Sequence, residues 1–383
     1  MLNKLTQTYR ARLREGKPVL SLVSGNPNDN GFLFPAEILQ KEYDRYFKAQ
    51  DYHPDPKGLL EARQAIHRYY SEQGAVFQPE QILLTAGTSE SFFYLFSYLC
   101  EAGDNVLAPS PAYPLFDDIA RLAKMELRHY PLDEKNNWQI DFDVLEKQID
   151  SKTKAIIIVS PNNPTGAVIS QDEIKRLAKI AHHYNVAIIS DEVFSEFYFG
   201  TGNFPRACAI SDFPLLFTLN GLSKMFALPA LKLGWIAVSG ARARVEAAVD
   251  SLETMADTFL SVHTPIQKAL PAIFEEGKSF KEKYVREVAA RRNLAVALLK
   301  GSEQIHFHSP QGGFHLTAKI QTKQDEEDFV VRLLEQTEVL VHPGYFYDYE
   351  SGVHIVFSFL APPELLSTAI PRLMEFCRQT HKH

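Results

Sequence analysis

Two short runs in this sequence leave little choice about the sheet that contains them. Residues 155–159 read AIIIV and residues 186–189 read VAII, apolar at every position and rich in β-branched side chains. A strand with one wet face alternates apolar and polar residues. A strand that is apolar throughout is buried on both faces, as in a parallel sheet covered by helices. Between the two runs lies SQDEIKRLAKIAHHYN, an amphipathic segment that predicts a helix, with Ser170 as N-cap and Glu173 closing a capping box. The same alternation extends from about residue 80 to about residue 240. SESFFYLFSYLCEAG reads as a buried helix closed by Gly103, NVLAPSPAY as a strand entering a proline-punctuated loop, and LLFTLNGLSK as a further strand. The expected fold is therefore α/β, a large domain with a mainly parallel sheet flanked by helices.

The pattern changes after about residue 270. SFKEKYVREVAARRNLAVALLK predicts a long amphipathic helix. GGFHLTAKI, EVLVHPG and VHIVFSFLAP are strand-like, with EEDFVVRLLEQ as a helix among them. This predicts a smaller α+β domain made of residues 1–48 and 272–383, beside a large domain of residues 49–271. The N-terminal forty or so residues show no sheet of their own and are expected to pack against the smaller unit.

Composition excludes several functions. The 383 residues carry a formal charge of −7 and no basic run of five, which argues against a nucleic-acid surface. No segment approaches the roughly 18 apolar residues of a membrane span, and the first residues lack the apolar centre of a secretory signal. Cys100, Cys208 and Cys377 are far apart and odd in number, so neither a disulfide framework nor a cysteine metal site is indicated. A cytoplasmic protein with reduced thiols and no bound metal is expected.

The polar residues of interest fall at the carboxyl ends of the expected strands, where ligands of such sheets bind. Asp191 follows VAIIS, and Asn163 lies in the tight loop SPNNPTG. Gly87, Thr88 and Ser89 precede a helix, whose first N–H groups suit an anion. In NGLSKMFALPALKLGW, Lys224 and Lys232 stand in a stretch that otherwise reads as buried. A lysine is costly to bury unless it is paired or used covalently. Singly, each has a dull reading as a cap, a turn or a solvated charge. Together, a desolvated amine for a Schiff base, an anion site for a phosphate and a buried carboxylate for a pyridine nitrogen meet the needs of pyridoxal phosphate.

These motifs, in this order, resemble the fold type I pyridoxal-phosphate aminotransferases of class I and II. The resemblance spans roughly residues 20–360 and rests on SGNPND, YHPDPKGLLEAR, AGTSES, PAYPLF, SPNNPTG, SDEVF, NGLSK and HPGYF. It implies that Lys224 is the Schiff-base lysine and the proton shuttle of a ping-pong transamination between an amino acid or amine and a 2-oxo acid. Asp191 would keep the pyridine nitrogen protonated, Asn163 would donate to the phenolic oxygen, and Tyr113 would stack on the ring. Gly87, Thr88, Ser89 and Ser223 would cradle the phosphate, with Lys232 where the family usually has an arginine. Tyr52 would reach the phosphate of a neighbouring subunit, which makes a homodimer part of the site. The Asn163–Pro164 bond is expected to be cis.

Two further departures bear on the chemistry. Phe194 stands where many members have a tyrosine. Val356, in GVHIVFSFLAP, stands where the family usually has the arginine that grips the substrate carboxylate, while His354 reads as an ordinary strand histidine. Loss of the arginine suits an amine substrate, or a pocket made apolar by Tyr113, Phe194, Val356, Tyr345 and Phe346. It also keeps open a pyridoxal-phosphate lyase or decarboxylase on the same fold.

Overall fold

The computed structural model describes residues 3–75, 77–349 and 351–380. Its main sheet has eight strands: β1 (Ile82–Thr85), β2 (Asn105–Ser110), β3 (Glu126–Asp133), β4 (Gln139–Ile140), β5 (Thr153–Val159), β6 (Ala187–Asp191), β7 (Leu215–Gly221) and β8 (Gly234–Gly240). Their order is β1-β8-β7-β6-β5-β2-β3-β4. The run from β7 through β6, β5 and β2 to β3 is parallel, β8 lies antiparallel to both its neighbours, and β4 is antiparallel to β3.

Side chains alternate across the strands, and both faces are apolar. Ile157, Ile189 and Phe217 face a cluster with Phe92, Leu95, Phe116 and Leu252, from the helices Thr88–Leu99, Leu115–Leu122 and Arg242–Phe259. Ile156, Ile158, Ile188 and Leu216 face the other way, onto Ile174, Leu177 and Ala181 of helix Gln171–Tyr184. That is why AIIIV carries no polar residue. Each such side chain contributes roughly 1.5–3 kcal/mol of burial. The capping box at Ser170 and Glu173 forms as expected, and Glu173 also accepts from the Ile140 amide at 3.0 Å, tying the helix start to β4.

A second sheet holds four antiparallel strands, β9 (Ile305–His306), β10 (His315–Ile320), β11 (His342–Pro343) and β12 (Val353–Ser358), in the order β9-β10-β12-β11. Helices Lys278–Leu299, Glu326–Thr337 and Pro363–Thr380 cover it through Val288, Phe329, Leu333, Ile370 and Leu373. From the N-terminal segment, Leu5, Leu22 and Phe32 join this core, and Leu20–Ser21 pairs in parallel with Val339–Leu340. Helix Ala36–Ala49 instead places Ile38 in the cluster of Ile66, Ile266 and Leu270.

Candidate active site

Three strand ends of the main sheet and residues His315 and His342 of the second sheet enclose a cavity of about 490 Å³, ordinary for a small-molecule site. Nine of the ten residues singled out from the sequence line it: Gly87, Thr88, Ser89, Tyr113, Asn163, Asp191, Ser223, Lys224 and Lys232. Tyr52 does not. It is 64% exposed, in an irregular segment after helix Ala36–Ala49.

Lys224 follows β7 on the short helix Leu222–Met225. The Leu222 amide donates to the Leu233 carbonyl at 3.0 Å, which closes the turn. Its Nζ donates to the Gly25 carbonyl at 3.1 Å and stands 5.8 Å from the ring centres of Phe194 and Phe314. No carboxylate bonds this ammonium among the described residues. Burial alone moves its pKa down, to about 8. That is the environment of an amine kept ready for covalent use.

Asp191 ends β6, almost fully buried. Its Oδ1 accepts from the Val193 amide at 3.1 Å. Its pKa is raised to about 7, chiefly by burial, with the Val193 amide opposing the rise and the neighbouring Glu192 adding to it. Among the described residues this buried carboxylate has one donor and no cationic partner.

Asn163 sits in a loop that braces itself. Asn162 Oδ1 accepts from the Thr165 amide at 3.1 Å and its hydroxyl at 2.8 Å, and the Asn162 amide donates to the Ala167 carbonyl at 2.8 Å. From the second sheet's side, the Gln311 amide donates to the Gly166 carbonyl at 2.8 Å. The Asn163–Pro164 bond is cis, as expected; so are Ser110–Pro111 and Ser160–Pro161. With the loop's polar groups so occupied, Asn163 Oδ1 is left buried with no partner.

Gly87 caps helix Thr88–Leu99 with φ 129°, a conformation that L side chains rarely adopt. A Cβ on Gly87 would lie 3.8 Å from Lys232 Nζ, so the second lysine's charge stands against the helix start. The first amides of a helix have no carbonyl within it, and here they meet a cation at the same corner. That corner suits a phosphate. Gly234 allows the approach, since a Cβ there would meet the Gly87 Cα at 3.0 Å.

The donor set fits pyridoxal 5′-phosphate: an anion corner, a desolvated amine, an under-bonded carboxylate and an unpartnered amide, all around one cavity.

Gly25, His315, His342 and Tyr347 also line the cavity. Gly25 and His342 belong to SGNPND and HPGYF, motifs that carried the resemblance without a role for either residue, and His315 and Tyr347 lie outside every motif named. The segments GGFHLTAKI and EVLVHPG were legible as strands, but nothing local marks their histidines as cavity-facing. Tyr345 and Phe346, expected in an apolar pocket, are not among its lining; the next residue, Tyr347, is. Val356 is buried without reaching the cavity. Phe194 does line it, its ring 5.0 Å from that of Phe314. His354 Nε2 meets Glu134 Oε1 at 3.0 Å and its ring stacks on Tyr349 at 4.3 Å, a structural pairing away from the site.

An amine, a carboxylate and an anion corner at the strand ends of a helix-covered parallel sheet define a fold type I enzyme. The family described as Aminotransferase class I and II matches residues 17–367 of the chain. Glutamate-pyruvate aminotransferase AlaA of Haemophilus influenzae is 31% identical, over 94% of this chain and 91% of that protein. Alanine aminotransferase of Mycobacterium tuberculosis is 29% identical, over 96% of this chain and 88% of that protein. Among solved structures, alanine aminotransferase from Pyrococcus furiosus superposes with a TM-score of 0.92 at 26% identity, over 98% of this chain and 96% of that one. The chain belongs to the class I and II aminotransferases, a family generally dependent on pyridoxal phosphate, and it is an aminotransferase. Nothing in these comparisons favours the lyase or decarboxylase.

Proposed function

We propose that the cavity binds pyridoxal 5′-phosphate through Lys224 as a Schiff base, and that the protein acts as a cytoplasmic homodimer. It moves an amino group from an amino acid or amine to a 2-oxo acid by a ping-pong route. The observation that carries this reading is Lys224 itself, half-buried, without a carboxylate partner among the described residues and with its pKa lowered to about 8, in the same cavity as Asp191 and Asn163.

When bound, the cofactor supplies an aldehyde and a protonated pyridine ring that accepts electron density from the substrate carbon. Asp191 would hold the proton at the pyridine nitrogen, a cation that would offset the burial that raises its carboxyl. Asn163 offers its amide to the phenolic oxygen, with the loop bonds of Asn162 holding its position. Phe194 has no hydroxyl to add there. Gly87, Thr88, Ser89, Ser223 and Lys232 hold the phosphate, Lys232 as a point charge without a bidentate fork. Tyr113, which lines the cavity, would pack against the ring. Lys224 Nζ would remove and return the proton at the substrate's α-carbon.

The dimer reading is supported by apolar side chains left in water. Phe47, Tyr52, Leu60, Phe259 and Leu260 are between 48% and 72% exposed. A ring contact joins Tyr43 both to Phe47 and to His263, bringing the helix Ala36–Ala49 to the turn after Phe259. Such a patch suits an interface; Tyr52 is exposed too, and the adjacent Asp51 pairs with Lys268 of helix Thr264–Glu276 at 3.7 Å. No helix of the described residues is long and apolar enough to cross a membrane.

The relatives named above act on glutamate, pyruvate or alanine. In this chain Lys224 and Lys232 are the cations among the described cavity-lining residues, and both are assigned to the cofactor. Simple α-amino acids are therefore held weakly, and donors with an apolar or aromatic side chain are held better.

The purified protein should be yellow, and borohydride should fix the cofactor on Lys224 of the wild type and not of Lys224→Ala. A reducible adduct in Lys224→Ala would overturn the assignment. A panel of amino donors, scored by loss of the visible absorbance, then identifies the substrate class.

A further inference from the structure

What stands beside Val356 decides how a substrate can be held without an arginine. Along β12, Val353, Ile355 and Phe357 enter the apolar core, so His354, Val356 and Ser358 occupy the opposite face. In register, Val356 pairs with Thr317 on β10 and with His342 on β11, and Ser358 pairs with His315. Side chains opposite one another across an antiparallel pair have Cβ atoms roughly 4.5–5.5 Å apart. His342 is thus the immediate neighbour of Val356, and His315 its diagonal neighbour. Val356 stops short of the cavity, while both histidines line it.

Each imidazole is held in place. His342 Nδ1 meets the Tyr347 hydroxyl at 2.9 Å, which orients the ring and leaves Nε2 without a partner among the described residues. His315 packs on the Gly25 backbone, its Nε2 3.2 Å from where a Cβ would stand. Gly25 is the residue whose carbonyl accepts from Lys224. The two rings therefore line the same cavity as the Lys224 amine.

We infer that His342, backed by His315, receives the substrate's carboxylate in place of the missing arginine. The inference rests on the arginine-less pocket proposed above.

An imidazole differs from a guanidinium in a way that can be measured. Burial holds His342 down to about 4, and burial together with Lys224 and His342 holds His315 down to about 3, so both are neutral near pH 7. The groups around His342 do not charge it. Tyr347 is an un-ionised phenol, its hydroxyl raised by burial, and Val356 is apolar. On the covering helix, Glu326 accepts from the Tyr345 and His354 amides at 2.8 and 2.7 Å. Lys224, Lys232, Tyr113 and Asp191 line the remaining cavity. A carboxylate arriving at Nε2 stabilises the imidazolium, so binding takes up a proton. An arginine clamp takes up none.

The test uses the cofactor-loaded enzyme with 3-phenylpropionate and its amide, followed by calorimetry in buffers of different ionisation heat. As pH falls from about 8 to about 6, affinity for the acid should rise by up to about tenfold per unit, with proton uptake, while the amide stays flat. His342→Gln should abolish the uptake. Val356→Arg should bind the acid more tightly and independently of pH. If Val356→Arg tightens binding but His342→Gln leaves the uptake unchanged, the role of His342 is wrong and the arginine-less pocket stands. If the wild type binds the acid tightly and without pH dependence, and Val356→Arg changes nothing, both fall. No preference for acid over amide at about pH 6 also overturns the inference.

Discussion

Arg206 and Glu192 form a buried ion pair, their side chains 2% and 1% exposed, and removing the arginine should leave a charge with nowhere to go. Arg206 Nη1 donates to Glu192 Oε2. Its Nε donates to Gln73 Oε1 at 3.0 Å and its Nη2 to the Tyr69 hydroxyl at 2.7 Å. Without it, the Glu192 carboxylate keeps, among the described residues, the Ser190 hydroxyl at 3.3 Å as its one donor. Tyr69 is better served, because it also donates to Glu196 Oε1 at 2.5 Å. Breaking a buried pair by removing one partner costs roughly 3–5 kcal/mol, nearly all of it from the stranded charge. That is a large part of the roughly 5–15 kcal/mol that holds a domain folded. Arg206→Met should therefore lower the urea midpoint strongly at pH 7, and adding Glu192→Gln should recover most of the loss. The pH dependence gives a second check. Burial already raises the Glu192 carboxyl with the arginine present, and losing the arginine raises it further. In the variant the folded state then binds the proton before the unfolded chain does, so its stability relative to the wild type improves as pH falls from about 7 toward about 5. A single variant within about 1 kcal/mol of the wild type, or a deficit that stays constant with pH, would refute the reasoning.

Lys224→Ala and Tyr52→Phe subunits, each inactive or weak alone, should regain activity when mixed; full turnover by a monomer would sink the shared site. Gly87→Ala forces an alanine to φ 129° and should cost roughly 1–3 kcal/mol while loosening retention of the phosphate. Unchanged thermal midpoint and unchanged cofactor retention on dialysis would show the turn to be unstrained. His315 and His342 have folded pKa values of about 3 and about 4, below those of the unfolded chain, so the unfolded chain takes up protons first as pH falls. Stability should decline from about pH 6.5 downward, less steeply in His342→Gln. A thermal midpoint equal at pH 7 and pH 5 would count against that burial.

AIIIV and VAII determined by themselves that their strands lie inside a helix-covered sheet, because an uninterrupted apolar run has no other low-energy place in water. The motifs at their ends likewise located Lys224, Asp191, Asn163 and the Gly87 turn, since each is set by a few neighbouring residues. Local pattern does not carry register between distant strands. That His342 stands beside Val356 follows from pairing β11 with β12 and β12 with β10, a choice made by the packing of Val353, Ile355 and Phe357 on three helices. The same holds for Tyr347 lining the cavity where Tyr345 and Phe346 were expected. The short helix Gly344–Tyr347 turns one ring inward and leaves Tyr345 39% exposed. The bonds that Arg206 makes to Tyr69 and Gln73 likewise arise only when segments far apart in the chain are brought together. Burial and hydrogen-bond satisfaction are properties of the assembled molecule, and only the tertiary structure decides them.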